Sequence, residues 1–164
     1  VKEDRPFRGV LYAGLMLTKD GPKVLEWNCR PGDPETQAVL PLYSNEFDIF
    51  EMMKNCAMSG LARKTVHWRN GLSAVSVVLA SNGYPDNPTD GEFIYGLDNI
   101  PEDVLVFHGG THQGIGGTFT SGGRVLTVTA MEMTKERARQ KAYSAIGPGK
   151  LNFYGMQFRK DIGS

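Results

Sequence analysis

Two short apolar runs flank a strong turn signal near the start of the chain. Residues 8–17 are largely apolar and compatible with a β-strand, and residues 23–29 form a second such run. Between them lies Lys19-Asp20-Gly21-Pro22, whose glycine and proline interrupt regular structure. This arrangement predicts a hairpin of two antiparallel strands, which is the firmest constraint on how the chain folds.

After the hairpin, the sequence predicts a loop and then a helix. Residues 31–35 contain two prolines and a glycine, which predict a loop because proline lacks an amide donor. From residue 44 to residue 62 the spacing predicts an amphipathic helix with Ser44 or Asn45 as its N-cap and Gly60 near its end. The apolar positions recur every three or four residues, at Phe47, Phe50, Met53, Ala57 and Leu61.

The second half predicts short strands and one helix. Residues 74–80, 104–107, 125–129 and 152–159 favour strands. Thr134 is the expected N-cap of a helix that runs to Ile146, with Ala138, Ala142 and Ala145 on its inner face. Residues 114–117 are glycine-rich but lack the lysine and helix pattern of a phosphate loop, so we expect a hairpin tip there.

These elements predict an α+β fold in two parts. We expect residues 1–68 to form the first part and residues 69–164 the second, because residues 63–71 are charged and polar. The length allows one ordinary domain or two small ones.

Composition excludes several classes of protein. Acidic and basic residues number 18 each, so no broad nucleic-acid surface is expected. The basic residues of the last helix, Lys135, Arg137, Arg139 and Lys141, spread around it and are interpreted as a solvated surface. No apolar run reaches the roughly 18 residues of a membrane span, and no signal peptide follows Val1. Cys29 and Cys56 are interpreted as reduced thiols of a cytoplasmic protein, and the missing initiator Met suggests a piece of a longer chain.

The residues at the end of the second strand carry the densest chemical signal. Alternate side chains of a strand share a face, so Glu26 and Asn28 point the same way and Arg30 follows in phase. Carboxylate and amide oxygens are ligands that Mg²⁺ prefers, and a guanidinium can hold a phosphate or carboxylate beside the metal. Spacing alone does not distinguish a metal site from the alternative, in which these side chains form the solvent-exposed polar face of a sheet.

The order of residues resembles a known family. Glu26-Trp27-Asn28-Cys29-Arg30 is similar to the metal-binding element of ATP-grasp ligases. The longer string to Gln37, with Gly32-Asp33-Pro34-Glu35-Thr36, resembles glycinamide ribonucleotide synthetase, a ligase of purine synthesis. Further stretches resemble the same family in the same order: residues 8–16, 80–85, 107–111, 122–126 and 159–163.

The resemblance implies a reaction in which phosphoribosylamine, glycine and ATP give glycinamide ribonucleotide, ADP and phosphate. Glu26 and Asn28 would hold Mg²⁺ (or Mn²⁺) against the ATP phosphates. Arg30 would stabilise charge on the γ-phosphate or on a glycyl phosphate. Asp33 and Glu35 could orient the ammonium group of glycine, with turn formation and helix capping as the alternative.

The C-terminal candidates come from the same resemblance. Arg159 and Lys160 are expected at the phosphate of phosphoribosylamine, although with Asp161 they could instead form a surface ion pair. His108 stands before Gly109-Gly110-Thr111, whose amides could approach an anion. The alternative for His108 is a structural side chain.

The family match also implies what is missing. The family's N-terminal domains and the lobe that grips adenine lie outside these residues, so we expect the isolated chain to be inactive. Pro31 stands where the family usually carries Phe, and residues 11–17 lack the carboxylate that many ATP-grasp enzymes place there. The rival hypotheses are another ATP-grasp purine ligase and a non-catalytic module that keeps the fold.

Overall fold

The computed structural model describes residues 6–44, 46, 48–58 and 66–164. The chain divides into two compact units. The N-terminal unit comprises Val1–Thr36 and Tyr43–Trp68, and the C-terminal unit comprises Gln37–Leu42 and Arg69–Ser164. The described residues contain three antiparallel sheets and three α-helices, which confirms the predicted α+β class.

The predicted hairpin is present in the N-terminal unit. Strand β1 spans Tyr12–Thr18 and strand β2 spans Gly21–Asn28, paired antiparallel around a tight turn at residues 19–20. The register shifts between Gly14 and Leu15, because Gly14 pairs with Glu26 and Leu15 with Val24. This β-bulge leaves Leu25 as the extra residue and keeps Glu26 opposite a glycine.

Two short helices follow the hairpin. Helix α1 spans Glu35–Val39, where the sequence predicted only the end of a loop, and a 3-10 turn continues it over Leu40–Leu42. Helix α2 spans Ile49–Ala57, so the predicted helix over 44–62 was too long.

The N-cap of α2 explains where that helix begins. The Asp48 carboxylate accepts hydrogen bonds from the amides of Phe50 and Glu51, at 2.8 and 3.2 Å, and so satisfies two free donors. Ser44, one predicted cap, instead accepts from the Glu46 amide at 3.2 Å. The other predicted positions, Asn45, Phe47, Gly60 and Leu61, lie outside the described residues.

The C-terminal unit is built on a three-stranded antiparallel sheet in the order β3-β7-β4. Strand β3 spans Ser73–Ala80, strand β4 spans Val104–His108 and strand β7 spans Arg124–Glu132. Helix α3, Lys135–Ser144, has Thr134 as its N-cap, as predicted, and packs against β3 and β7. Ala138 and Ala142 are fully buried there, because small side chains let the helix approach the sheet closely.

A second hairpin projects from this unit. Strand β5, Thr111–Gly114, pairs with β6, Gly117–Thr120, so residues 114–117 form a hairpin tip as predicted. Gly117 has φ +146°, and a Cβ there would lie 2.7 Å from the Phe93 ring. The glycines of this segment therefore serve the turn and the packing beneath it.

The predicted last strand over 152–159 was wrong. Its residues make only isolated bridges, from Asn152 to Tyr95 and from Gln157 to Ala80. The reason is a turn at Gly155, whose φ of +69° breaks the extended conformation between the two bridges. A Cβ at Gly155 would lie 2.7 Å from Cβ of Asn82, so glycine is also required there by packing.

Candidate functional site

The hairpin places Glu26 and Asn28 on one face. Across the strand pair, Gly14 lies opposite Glu26 and Tyr12 lies opposite Asn28. The amide Nδ2 of Asn28 donates a hydrogen bond to Glu26 Oε1 at 2.9 Å. The two predicted side chains are therefore in direct contact near the end of β2.

Gly14 leaves the space that Glu26 occupies. A Cβ at Gly14 would lie 3.0 Å from Glu26 Cγ, which is closer than nearly all real Cβ contacts. The sequence analysis did not single out Gly14. The signal was available, because an isolated glycine inside an apolar strand run marks a bulge or a close approach.

Tyr12 brings Glu35 to the same face of the hairpin. The Tyr12 hydroxyl donates to Glu35 Oε1 at 3.1 Å. The hydrogen bond to the Glu35 carboxylate, with that group's negative charge, raises the pKa of Tyr12 above its usual value of 10.0. Glu35 is the first residue of α1, so the helix start positions its carboxylate. Tyr12 is a site residue that the sequence analysis missed.

The loop between β2 and α1 holds the remaining candidates of this unit. Strand β2 ends at Asn28, so strand alternation no longer fixes the direction of Arg30, whose Nη1 donates to the Pro31 carbonyl at 3.0 Å. Asp33 lies in the turn that leads into α1. The Thr36 amide and hydroxyl both donate to the Gly32 carbonyl, at 3.1 and 2.5 Å, and close this turn.

The donor set of the hairpin fits a hard divalent cation only in part. One carboxylate and one amide oxygen are the ligand types that Mg²⁺ takes, and Mg²⁺ usually keeps several waters or phosphate oxygens beside one or two carboxylates. Within the described part of the chain, no group of three or more His, Cys, Asp or Glu could hold a metal ion. A metal at Glu26 and Asn28 therefore needs substrate or solvent oxygens to complete its shell.

In the C-terminal unit, His108 lies at the end of β4. Its Nδ1 is 3.0 Å from the Thr111 hydroxyl oxygen. The amides of Gly109, Gly110 and Thr111 donate to the carbonyls of Val125, Arg124 and Gly109. Because these amides already have acceptors, they do not offer an anion the free donors that the sequence suggested.

Arg159 forms the ion pair with Asp161 that the sequence allowed. Its Nε donates to Asp161 Oδ1 at 2.9 Å, and its Nη2 contacts Oδ2. This bidentate contact lowers the pKa of Asp161 and raises that of Arg159. Both side chains are largely exposed, so an anion from solvent can also reach the guanidinium.

Helix α3 holds the backbone of this C-terminal segment. The Tyr143 hydroxyl donates to the Arg159 carbonyl at 2.6 Å and accepts from the Ile162 amide at 3.2 Å. Arg139 donates to the carbonyls of Lys160 and Ile162, at 2.7 and 3.1 Å. These four hydrogen bonds thereby fix the main chain that carries Arg159 and Lys160.

The solvated-surface interpretation of the basic residues on this helix was therefore wrong for two of them, Arg139 and Lys141, which are half-buried, whereas Lys135 is exposed. Arg139 binds the C-terminal segment, Lys135 donates to the Ser164 carbonyl at 3.1 Å, and Lys141 pairs with Asp103 and Glu132. Periodicity shows that residues spread around a helix, but it does not show which parts of the chain fold over them.

Comparison with known proteins identifies the family. Residues 1–36 match the phosphoribosylglycinamide synthetase ATP-grasp (A) domain, and residues 74–164 match the phosphoribosylglycinamide synthetase C domain. The hairpin with its Glu26–Asn28 pair thus falls in an ATP-grasp domain. The chain belongs to the phosphoribosylglycinamide synthetase family.

Individual relatives agree with this assignment. The chain is 49% identical to the trifunctional purine biosynthetic protein adenosine-3 of Gallus gallus, over 99% of this chain and 16% of that protein. It is 45% identical to the phosphoribosylamine–glycine ligase of Caldanaerobacter subterraneus, over 98% of this chain and 37% of that ligase. The chain spans well under half the length of either relative.

A solved structure shares the fold. The crystal structure of the phosphoribosylamine–glycine ligase from Thermotoga maritima superposes with a TM-score of 0.80 at 39% identity. The match covers 98% of this chain and 38% of that one.

Proposed function

We propose that this chain is the C-terminal part of an ATP-dependent phosphoribosylamine–glycine ligase. The reaction joins glycine to 5-phosphoribosylamine and gives glycinamide ribonucleotide, ADP and phosphate. The observation that carries the proposal is the contacting Glu26–Asn28 pair at the strand end of an ATP-grasp segment. The names of the bacterial relatives supply the substrate pair.

In this proposal Glu26 and Asn28 hold Mg²⁺ or Mn²⁺. When bound, the metal neutralises charge on the ATP phosphates. A glycine carboxylate oxygen attacks the γ-phosphorus and ADP leaves. The amine nitrogen of phosphoribosylamine then attacks the carbonyl carbon, phosphate leaves and the nitrogen loses a proton. Arg30 stabilises negative charge on the transferred phosphoryl group once its side chain leaves the Pro31 carbonyl.

The carboxylates of the loop orient glycine. Glu35 is held by the Tyr12 hydroxyl, which accounts for one of its oxygens and leaves the other free to accept from an ammonium group. Asp33, two residues earlier, is the second acceptor in this proposal. Their role is to hold the amino end of glycine, so that its carboxylate faces the phosphate.

The C-terminal unit contributes to binding the amine substrate. Arg159 and Lys160 bind its phosphate, and their backbone is fixed by Tyr143 and Arg139. His108 binds the same substrate through its imidazole ring, because the amides that follow it already donate to backbone carbonyls.

The partners of this chain are the family's other domains. Large apolar side chains of the hairpin are exposed, with Leu17 at 83% and Trp27 at 59%. We assign this surface to contact with the remainder of the ATP-grasp domain, because a two-stranded hairpin is marginal alone. None of the described helices is long and apolar enough to cross a membrane. We place the ligase in the cytoplasm, without a nucleic-acid partner.

The proposal is tested by the substrate requirement of the full-length protein. ADP release should need Mg²⁺, glycine and freshly made phosphoribosylamine together, and other carboxylates should not replace glycine. Release that depends on a different carboxylate or amine would favour another ATP-grasp purine ligase. A well-folded protein that neither releases ADP nor binds Mg-ATP would favour the non-catalytic module.

A further inference from the structure

Three separate stretches of sequence converge on one cleft in the C-terminal unit. The cleft is lined by residues that include Ala80, Tyr84, Arg124, Gln157, Phe158 and Arg159. They belong to the stretches 80–85 and 122–126 and to the segment that runs into 159–163. The convergence has a simple cause, because Ala80 pairs with Arg124 across β3 and β7 and bridges to Gln157 on its other side.

The loop that forms one wall of the cleft is held rigidly. Ser81 is only 1% exposed, its hydroxyl donates to the Gly122 carbonyl at 2.8 Å, and its amide donates to the Gly123 carbonyl at 2.9 Å. The side-chain amide of Gln157 donates to the carbonyls of Ser81 and Tyr84, at 2.9 and 3.0 Å. A wall fixed by four hydrogen bonds can hold a ligand with little ordering cost on binding.

The Tyr84 ring packs on bare backbone. A Cβ at Gly123 would lie 2.2 Å from Cδ2 of Tyr84. Gly123 thus leaves room for one edge of the ring beside the start of β7, where Arg124 follows directly. Tyr84 and Arg124 both line the cleft.

The lining has the chemistry of an anion site with an apolar floor. Its charged members are two arginines, Arg124 and Arg159, and its floor includes Ala80 and Phe158. Asp161 holds one edge of the Arg159 guanidinium, which fixes its plane but leaves other N–H donors of the group free to bind an anion. Two arginine forks beside an apolar surface suit a phosphate carried on a compact sugar.

We propose that this cleft binds the phosphoribosyl group of the amine substrate, with Arg124 and Arg159 on the phosphate and the Tyr84 ring against the ribose. This inference rests on the proposed ligase function and adds Arg124 and Tyr84 to its binding residues. Gln157 is a positioning residue, since it holds the wall and not the ligand.

The test compares Arg124→Gln with Arg137→Gln in the full-length ligase. Arg137 is an arginine of helix α3 that does not line this cleft. The measurements are KM for phosphoribosylamine, glycine and ATP, kcat, and competitive inhibition by ribose 5-phosphate and by ribose. Loss of a charged hydrogen-bonding group should raise KM for phosphoribosylamine and the inhibition constant of ribose 5-phosphate by about tenfold to a hundredfold.

The remaining constants should stay within about twofold in Arg124→Gln, and Arg137→Gln should match wild type throughout. Ribose alone should inhibit poorly. Arg124→Lys keeps the charge without the fork, so it should lie between wild type and Arg124→Gln and serves if the glutamine variant does not fold. An unchanged KM for phosphoribosylamine in a folded Arg124 variant, or a loss confined to kcat, would overturn the cleft assignment.

Failure of the ligase proposal gives a different result. A wild-type protein without ligase activity contradicts the proposed function. The cleft is then judged by direct binding of ribose 5-phosphate to wild type and to Arg124→Gln. Equal affinity, or no binding to either protein, would overturn the cleft as well.

Discussion

The Asn28 side-chain amide donates to the Glu26 carboxylate at 2.9 Å, across two residues of strand β2. This contact is possible because both side chains stand on one face of the hairpin, opposite Tyr12 and Gly14. A pair held in this way places one carboxylate and one amide group side by side at the strand end, and a metal bound to ATP phosphates would take the carboxylate oxygens of Glu26 and the Oδ1 of Asn28.

Gly14→Ala tests the space beside Glu26. The new Cβ would lie 3.0 Å from Glu26 Cγ, so the carboxylate must shift and its contact with Asn28 weakens. We expect KM for Mg-ATP in the full-length ligase to rise about three- to tenfold, equivalent to ~1 kcal/mol. Ala13→Ser, one residue away and on the opposite face, should leave it unchanged. Equal kinetics for Gly14→Ala and wild type would show that Glu26 does not depend on this space.

Tyr143→Phe tests the attachment of the C-terminal segment to α3. The change removes the hydroxyl that bonds the Arg159 carbonyl and the Ile162 amide. We expect KM for phosphoribosylamine to rise about fivefold or more while kcat falls less than twofold, because the segment that carries Arg159 loosens. Tyr154→Phe is the matched control, since that ring is largely exposed. A fall in kcat alone would count against a role in substrate binding.

The ion pairs of Lys141 should make the C-terminal unit sensitive to acid. Hydrogen bonds from Lys141 lower the pKa of both Asp103 and Glu132, whose usual values are 3.8 and 4.5. A lowered carboxyl pKa in the folded state stabilises the protein above the unfolded pKa. That stabilisation is lost as the pH falls through the folded pKa of each carboxyl, which lies below its usual value.

Lys141→Met therefore removes a stabilisation that is present at pH 7 and shrinks as acid protonates Asp103 and Glu132. The thermal unfolding midpoint of the full-length protein should be lower than that of wild type at pH 7, and the two midpoints should approach each other as the pH falls from 7 through the lowered pKa values of these carboxyls. Lys150→Met is the control, because Lys150 donates to the Ser144 carbonyl, which does not titrate. A difference from wild type that is constant across this range would contradict the account.

The sequence predicted those features that depend on neighbouring residues, and it missed those that depend on contacts between residues far apart in the chain. The hairpin, the Thr134 cap and the Glu26–Asn28 face follow from neighbours in sequence, so alternation and turn residues were sufficient. The strand expected at 152–159 failed because Gly155 turns to pack on Asn82, which lies far away in the chain. The helix start at Asp48 was missed because several residues could cap and only one reaches the free amides.

The candidate sites show the same division. Gly14 and Tyr12 lie in phase with Glu26 and could have been selected from the sequence as the opposite strand of its hairpin. Arg124, Tyr84 and Gln157 could not, because their meeting depends on the pairing of β3 with β7 and on the bridge from Ala80. Residues that converge through long-range pairing leave no periodic signal.

The central claim, that Glu26 holds the metal of a phosphoribosylamine–glycine ligase, is tested most directly with Glu26→Gln in the full-length protein. Mn²⁺ binding in the presence of ATP, followed by electron paramagnetic resonance, is measured beside ADP release with glycine and phosphoribosylamine. Glu51→Gln, an exposed glutamate of α2, is the control. We predict that Glu26→Gln weakens Mn²⁺ binding at least about tenfold and slows ADP release about a hundredfold or more, while the control matches wild type. Wild-type Mn²⁺ affinity and turnover in folded Glu26→Gln would contradict the account.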